Sequence, residues 1–315
     1  MTTVMTVTGA VPAGDLGVVL PHEHVLVDTL TEYRADGVLR DEDLAAAELD
    51  EFRAAGGRTV VELTTTEIGR DPLGLRRIAE RTGLNIVMSC GHYRDPYLDR
   101  SWFDRHSVDA IAAQLVDECE HGVGGTGVRP GVIGEIGADR AVVSAVEERS
   151  LRAAARAHHA TGLTISTHAA RWPVGREQLR ILVEEGVAPG RIVVGHCDTV
   201  PDPGYHEELA ESGCYVELDS LGTGTARDDD IVLRLVLRLR HAGFLDRILL
   251  SHDVFLGRHL RAHGGQGYAH LLRVFRGRLL EAGLSESEVH TLLVENPSAA
   301  LTGAASSTHV PQEAR

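Results

Sequence analysis

The sequence predicts a single domain with the (β/α)8 TIM barrel fold, in which eight parallel strands alternate with helices. Its 315 residues, of which 43% are hydrophobic, suffice for one large domain with a sizeable core. Short apolar runs alternate with longer segments of helical periodicity, an order typical of parallel α/β folds. No linker rich in Pro, Gly or Ser divides the chain. We therefore expect the barrel over residues 1–302, followed by a small, polar and disordered tail at 303–315.

The predicted strands are short apolar runs of the kind that buried parallel strands require. They lie at residues 17–20, 59–63, 85–89, 131–136, 163–167, 191–195, 214–218 and 247–250. The predicted helices carry apolar residues at i, i+3 and i+4, and several end at a glycine. The most periodic are residues 41–55, 108–121, 146–160, 176–185 and 230–241. A doubly wound open sheet is the alternative. No Gly-rich phosphate-binding turn follows the first run, which disfavours that sheet and a dinucleotide-dependent dehydrogenase.

Composition narrows the class of function. The net charge of −15 disfavours nucleic acid or an anionic membrane surface as the main partner. Without a run of 18 apolar residues or a signal peptide at its start, the chain is expected to be cytoplasmic. Cys90, Cys119, Cys197 and Cys214 lack C-x-x-C spacing and are interpreted as packing residues in a reducing compartment. All 31 basic residues are arginine, so chemistry that needs a lysine, carbamylated lysine included, is excluded.

Polar residues follow most of the predicted strands, and the carboxyl ends of barrel strands meet at one mouth. They include His22, Glu23, His24, Thr64, Glu67, His92, Tyr93, Glu135, His168, His196, Asp198, Asp219, Ser251, His252 and Asp253. In a strand His22 and His24 project to the same face. A single histidine at a strand end is commonly a hydrogen-bonded core residue, and Glu135 alone also fits a structural ion pair. Their convergence predicts a site for Zn²⁺ or a similar divalent cation.

These motifs resemble the phosphotriesterase family of the amidohydrolase superfamily over nearly the whole chain. The matching segments are LPHEHVLVD (20–28), GVIGEIGAD (131–139), ISTHAA (165–170), VVGHCD (193–198), LLSHDVF (249–255) and ENPSAAL (295–301). Many members carry a carboxylated lysine where this chain has Glu135. That glutamate, together with GHCD, GGQGY (264–268) and ENPS, resembles the branch called phosphotriesterase homology proteins.

The resemblance implies a (β/α)8 barrel with two divalent metal ions. Zn²⁺ is the expected metal, with Mn²⁺, Co²⁺ and Fe²⁺ as alternatives for nitrogen and oxygen ligands. The implied ligands are His22, His24 and Asp253 for one ion and His168 and His196 for the other, with Glu135 bridging both. Members of the family are often dimers, so the resemblance also implies a homodimer as one oligomeric state.

The implied reaction is the hydrolysis of a small-molecule ester, lactone, amide or phosphoester. A hydroxide that bridges the ions is expected to attack, and Asp253 to accept its proton and pass it to the leaving group. Phosphotriester hydrolysis is expected as a side reaction at most, with a lactone or an N-acyl amide as alternative substrates. A metal-retaining barrel that binds or regulates without robust hydrolysis is the alternative class.

Five residues are candidates for contacting the substrate. They are Tyr93, His92, Arg171, Asp219 and Arg258. Asp219 equally fits a partner that orients the metal ligands. Tyr93 corresponds to a tyrosine that lies near the metals in lactonases of the family, and it equally fits a packing role. Lactonases also share an arginine after the aspartate of the seventh strand, where this chain has Ser220. An arginine near the mouth can hold an anionic group bidentately, although an exposed arginine equally fits a solvated face.

Overall fold

The computed structural model describes residues 2–304 and contains the predicted barrel. Eight of its strands form one parallel sheet, in the order β3, β6, β7, β8, β9, β10, β11 and β12. The strands are β1 (Thr3–Thr6), β2 (Gly9–Pro12), β3 (Val18–Glu23), β4 (Val27–Asp28), β5 (Val38–Leu39), β6 (Gly57–Glu62), β7 (Asn85–Cys90), β8 (Val132–Gly137), β9 (Ile165–His168), β10 (Ile192–Gly195), β11 (Tyr215–Leu218) and β12 (Ile248–Leu250). All eight predicted runs overlap a strand of the barrel.

Helices surround this sheet and begin at side chains suited to cap them. Asp41 accepts hydrogen bonds from two amides of the first turn of α2, and Ser144 forms a capping box with Glu147 in α6. The helices are α1 (Leu30–Tyr33), α2 (Glu42–Ala54), α3 (Pro72–Thr82), α4 (Arg100–Arg105), α5 (Val108–His121), α6 (Ala145–Thr161), α7 (Gly175–Glu184), α8 (Pro203–Ser212), α9 (Ala226–His241), α10 (Arg276–Glu281), α11 (Glu286–His290) and α12 (Asn296–Thr302). Helices α10 and α12 follow directly on π-helical turns at Leu271–Phe275 and Thr291–Glu295.

The first and last strands of the barrel meet through the segment that follows β12. The amide of Asp253 donates to the carbonyl of His22 over 3.2 Å, and the amide of His24 donates to the carbonyl of Val254 over 3.2 Å. These bonds join the carboxyl ends of β3 and β12. Because all eight strands run in the same direction, their carboxyl ends surround a common mouth.

The opposite end of the barrel is covered by the hairpin of β1 and β2, which the sequence did not predict. Val4 belongs to an apolar cluster with Leu16, Val61 and Leu301, and the amide of Val7 donates to the carbonyl of Ile86. A second short hairpin, β4 with β5, follows the mouth end of β3. One end of the barrel is therefore packed, and the other is open to a site.

The (β/α)8 fold is confirmed, and each of the five predicted helices overlaps an observed one. Helices α3 and α8 were missed; both begin at a proline, a residue pre-organised for the first turn. The domain boundary at residue 302 stays a prediction, and residues 305–315 of the predicted tail lie outside the described residues. Within residues 2–304, no helix combines the length and the apolar character needed to cross a bilayer.

Candidate metal centre

His22 and His24 lie at the end of β3 and are both buried. The Nδ1 atom of His22 lies 3.0 Å from Oδ2 of Asp219 and 3.1 Å from Oε2 of Glu217. A proton on Nδ1 therefore faces carboxylates, which leaves the electron pair of Nε2 directed elsewhere. Within the described chain this Nε2 is a buried atom without a hydrogen-bond partner. Such an atom is oriented to act as a metal ligand.

The ring of His24 is held by a chain of two further groups. Its Nδ1 lies 2.9 Å from Oγ1 of Thr64, and this hydroxyl donates in turn to the carboxyl of Glu62 inside the barrel. Because the hydroxyl donates to Glu62, it accepts the proton on Nδ1 of His24. The Nε2 atom of His24 is left facing the mouth. Burial raises the pKa of Glu62 to about 7.

The backbone of β8 departs from regular pairing beside Glu135. The register with β9 shifts between Ile133 and Ile136. Gly134 has a φ of +135°, and a Cβ atom there would lie 2.3 Å from the carbonyl oxygen of Ser166. Only glycine allows this approach without displacement of β9. The irregularity presents the Glu135 side chain to the mouth.

The carboxylate of Glu135 is buried among all four histidines. Its Oε2 lies 2.8 Å from Nδ1 of His168, 3.2 Å from Nε2 of His196 and 3.5 Å from Nε2 of His22. Its Oε1 lies 3.4 Å from Nε2 of His24. Oε2 thus faces three of the rings and Oε1 faces the fourth, so this one carboxylate contacts every histidine of the cluster, as a ligand shared between two ions would.

His196 follows β10 in a left-handed backbone conformation, with φ of +55°. Its amide and its Nδ1 each lie 3.0 Å from the carboxylate of Asp219. The groups that contact the carboxylate of Asp219 belong to the buried residues His22 and His196. The backbone amide of Asp219 donates to the carboxylate of Asp198 over 3.1 Å. The Nε2 atom of His196 is left 2.8 Å from Nδ1 of His168. The two rings therefore converge on one point.

Asp253 follows β12 and also has a left-handed backbone, with φ of +53°. Its Oδ1 lies 3.3 Å from Nε2 of His24 and 3.8 Å from Nε2 of His22. Its Oδ2 lies 3.9 Å from Nδ1 of His196. With 19% of the side chain exposed, Asp253 is more open to solvent than the other carboxylates in contact with the rings, since Glu135, Asp219 and Glu217 are each at most 1% exposed.

The carboxylates of the cluster raise the pKa of three of the rings, whereas burial lowers the pKa of His168. Burial lowers the pKa of His22, but Glu135, Asp219 and Glu217 together outweigh burial, so the pKa lies well above its ordinary value. Likewise, hydrogen bonds to Asp253 and Glu135 outweigh burial and raise the pKa of His24 to about 9. Burial raises the pKa of Glu135, but His168 and His22 lower it further, so this side chain is a carboxylate. A cation that binds to His22 and His24 must therefore displace protons from their rings.

The donor atoms are close enough to hold metal ions. In each of three groups of described residues, one donor atom per residue lies within 4.8 Å of the others. The groups are His22, His24 and Glu135; His22, His196 and Asp219; and Glu135, His168 and His196. Imidazole nitrogen and carboxylate oxygen are the ligands of Zn²⁺ and similar divalent cations. The donor set and the free Nε2 of His22 therefore fit a metal site.

A cavity of about 1180 Å³ opens from this cluster to the surface. Tyr93, Ile68 and Phe255 form part of its wall. On one side it is bounded by the loop after β9, which contains Arg171 and the half-exposed Trp172. The far side is formed by α9, which contributes Ile231, Arg234, Leu235 and Arg238. The cavity is as large as a site for a complete small molecule.

The candidates for contacting the substrate occupy different positions. Tyr93 lines the cavity, with its hydroxyl 3.4 Å from Nδ1 of His168, and Arg171 lines the cavity at the surface. His92 and Arg258 are not among the lining residues. His92 lies behind Tyr93, with Nδ1 2.6 Å from Oε1 of Glu67. Arg258 pairs with Asp36. Asp219 is fully buried beneath the histidines.

Sequence reasoning missed the acidic residues beneath the histidines. Glu62 and Glu217 are fully buried inside the barrel, and both are held by hydrogen bonds to the supporting network of the rings. Burial raises the pKa of Glu217 as well. The available signal was a carboxylate inside an apolar run, TVVEL and YVEL, where an unpaired charge would be costly.

Comparison with known proteins gives a consistent result. The model of the phosphotriesterase family matches residues 2–301. The phosphotriesterase homology protein of Escherichia coli strain K12 is 35% identical over 284 residues, which cover 90% of this chain and 97% of the relative. The N-acetyltaurine hydrolase of Homo sapiens is 36% identical over 267 residues, which cover 81% of this chain and 76% of the relative.

A solved structure extends the similarity to three dimensions. The crystal structure of a lactonase from Listeria monocytogenes superposes with a TM-score of 0.89 at 26% sequence identity. The alignment covers 95% of this chain and 99% of the lactonase. The similarity therefore extends over nearly the whole length of both chains.

Proposed function

The chain belongs to the phosphotriesterase family and is a metal-dependent hydrolase. We propose that its substrate is an N-acyl amide that carries an anionic group. We further propose that two divalent metal ions form the centre at which the amide is cleaved. The observation that carries the two-ion centre is the position of Glu135, whose carboxylate lies within 3.5 Å of all four histidines. The similarity to an N-acetyltaurine hydrolase over most of this chain supports an amide as the scissile bond.

The proposed ligands divide between two ions. His22, His24 and Asp253 would hold one ion, and His168 and His196 the other, with Glu135 shared. Zn²⁺ is the proposed metal, with Mn²⁺, Co²⁺ and Fe²⁺ as alternatives. When bound, such ions supply an activated water at neutral pH and Lewis acidity toward the acyl oxygen.

The protein's own groups orient the substrate and move the proton. Asp253 is the partly exposed carboxylate at the cavity floor, so its Oδ2 can accept a proton and deliver it to the leaving nitrogen. The hydroxyl of Tyr93, beside His168, is placed to donate a hydrogen bond to the substrate. Ile68 and Phe255 make this end of the cavity apolar and limit the access of water.

Two arginines of the cavity support an anionic substrate. Within residues 2–304, Arg171 and Arg234 line the cavity without a carboxylate within 4.0 Å. The other lining arginines pair with acidic side chains: Arg94 with Glu32 and Asp139, Arg140 with Asp139, and Arg238 with Glu207. In a chain with a net charge of −15, unpaired cations in a cavity favour the binding of an anionic group there.

The test is a substrate panel with the Zn²⁺-loaded protein. N-acetyltaurine and N-acetylglycine are compared with a neutral N-acetyl amine, a γ-lactone and a phosphotriester, and the released amine or acid is quantified. We expect kcat/KM for the anionic amides to exceed that for the neutral amide at least tenfold. Arg171→Met is expected to raise KM for the anionic amides about tenfold, a loss of ~1.4 kcal/mol in binding. Equal turnover of neutral and anionic amides would overturn the anionic assignment.

Arg227→Met is the matched control for the arginine variant. Like Arg171, Arg227 is exposed and has no carboxylate partner among the described residues, but it does not line the cavity. Its replacement should leave KM unchanged. If no member of the panel is hydrolysed while an anionic amide still binds, the barrel is a binding or regulatory module instead.

Lactone hydrolysis is the second candidate. It is supported by Tyr93, which lies beside His168, and by the structural similarity to a lactonase. Ser220, which follows Asp219 where lactonases of the family share an arginine, counts against it. A kcat/KM for the γ-lactone above that for every amide would make this the preferred assignment.

A further inference from the structure

Glu23 lies between two of the proposed metal ligands, yet its side chain serves another part of the chain. It is fully buried, and its carboxylate accepts hydrogen bonds from the segment that follows β12. Oε1 accepts from Oγ of Ser251 at 2.8 Å, and from the amide and Nδ1 of His252 at 3.0 and 2.7 Å. Oε2 accepts from the amide of Val254 at 3.0 Å. The four donors flank Asp253 on both sides.

Asp253 needs this support because its own backbone is unfavourable. A residue other than glycine in the left-handed region costs about 1 kcal/mol or more, and the surroundings must hold it there. Glu23 bonds the neighbours of Asp253. The backbone of Asp253 itself is bonded to β3, where its amide donates to the carbonyl of His22 over 3.2 Å. Glu23 thus accepts four of the hydrogen bonds that fix residues 251–254, from donors on both sides of Asp253.

The donor on His252 is also fixed. Its Nε2 accepts the amide proton of Leu271 over 3.0 Å, so the proton of the neutral ring lies on Nδ1 and faces Glu23. Both sides of the Glu23–His252 contact are therefore oriented before any substrate binds. The contact joins the first barrel strand to the segment after the last one.

We propose that Glu23 is a positioning residue that sets the place of the Asp253 carboxylate at the metal centre. The proposal rests on the role given to Asp253 in the proposed function. Glu23 acts on the reaction through Asp253 alone, and it takes no part as a ligand or as a proton acceptor. Removal of the Glu23 carboxylate should lower the affinity for the metal ion that Asp253 binds and should lower kcat. It should leave the binding of substrate in the outer cavity unchanged.

The first test is Glu23→Gln. The amide keeps the size of the side chain but places an NH2 group against at least one of the present donors. We expect kcat to fall at least tenfold with KM within twofold of wild type, and the affinity of the metal-depleted protein for Zn²⁺ to fall about tenfold, the range seen for supporting residues of metal sites. A kcat and a Zn²⁺ affinity both within threefold of wild type would overturn the proposal.

Glu48→Gln is the matched control. Glu48 is another buried glutamate that accepts backbone amide protons, from Arg261 at 3.0 Å and Ala262 at 2.7 Å. It makes no hydrogen bond to residues 251–254 in the described structure. Its variant should lose thermal stability but keep kcat and Zn²⁺ affinity. An equal loss of kcat in both variants would assign Glu23 a merely structural role.

A second pair of variants keeps the proposal testable if Glu23→Gln does not fold. His252→Asn retains a donor near the position of Nδ1, whereas His252→Leu removes it. We expect the leucine variant to lose kcat at least tenfold and the asparagine variant to recover most of that loss. Equal losses in both would contradict the proposal. Zn²⁺ affinity is measured without substrate. It therefore tests whether Glu23 positions Asp253 even if the wild-type protein hydrolyses no substrate of the panel.

Discussion

The carboxylate of Asp219 binds His196 twice, once at the backbone amide and once at Nδ1, with both distances at 3.0 Å. Its Oδ2 also lies 3.0 Å from Nδ1 of His22. One buried side chain therefore orients one histidine of each proposed ion. Of the two roles that the sequence left open for Asp219, substrate contact or support of the metal ligands, these contacts favour support.

Asp219→Asn should weaken metal binding without removing any ring. The amide keeps the shape but presents an NH2 group to one of its present donors, so at least one ring loses its orientation. We expect the affinity for Zn²⁺ to fall about 10–100-fold. Competition with a chromophoric chelator measures this. A wild-type affinity would show that the rings are held by other contacts, such as the one between His22 and Glu217.

Thr64→Val should weaken the same centre from the side of His24. Valine keeps the volume of threonine but removes the hydroxyl between His24 and Glu62. We expect about a tenfold loss of Zn²⁺ affinity. Thr64→Ser, which keeps the hydroxyl, is the control and should lose far less. If serine and valine weaken binding equally, the methyl group and its packing matter rather than the hydrogen bond.

Gly134→Ala should destabilise the protein and displace Glu135. A methyl group would lie 2.3 Å from the carbonyl oxygen of Ser166 in a backbone conformation that suits glycine. We expect a loss of about 2–4 kcal/mol in the free energy of unfolding. Gly83→Ala is the control, since Gly83 also has positive φ but no atom within 4 Å of the added Cβ. Its loss should be about 1 kcal/mol. Urea unfolding distinguishes the two values.

Metal removal should abolish hydrolysis reversibly, and reloading should need no carbon dioxide. The chain contains no lysine, so a carboxylated lysine cannot form and Glu135 is the available bridge. We expect the chelated protein to regain full activity with Zn²⁺ in degassed, bicarbonate-free buffer. A strong requirement for bicarbonate would contradict the assignment of Glu135, and activity that survives complete chelation would contradict the metal mechanism.

Stability should depend on Glu288 at acid pH. Hydrogen bonds from Arg240, and then from Ser285, lower the pKa of Glu288 to about 2 from its ordinary value near 4.5. Since the folded pKa is the lower one, the stabilisation is complete above about pH 4.5 and is lost as the pH falls toward 2. The contribution of this partly exposed pair is on the order of 0.5–1 kcal/mol. Between about pH 4.5 and pH 2, the urea concentration at the unfolding midpoint should therefore decrease less in Glu288→Gln than in the wild type.

The strands and the positions of the proposed metal ligands were accessible from the sequence because both follow local rules. A buried strand is an apolar run, and a side chain at its carboxyl end reaches the mouth whatever the neighbouring strands are. His168 and His196 could be placed in this way before any contact was known. The resemblance to a known family then supplied the role of Glu135.

The supporting contacts were not accessible, because they depend on which residues face each other between distant strands. Nothing near His24 in the sequence indicates Thr64 or Glu62, and nothing near Asp253 indicates Glu23. The arginines show the same limit. Arg258 was chosen for its place after the eighth strand, yet it pairs with Asp36, whereas Arg234 reaches the cavity from α9.

The contact between Ser251 and Glu23 spans 228 positions of the chain, and this has a consequence for biosynthesis. Contacts so distant in sequence form late, because the loop between them must be ordered first. During translation, the ring of strands cannot close before the eighth strand has left the ribosome. A nascent chain that ends before residue 251 holds His22, His24, Glu135, His168 and His196, but neither Asp253 nor its support. The complete set of proposed ligands would then be in place only after synthesis has passed the last strand.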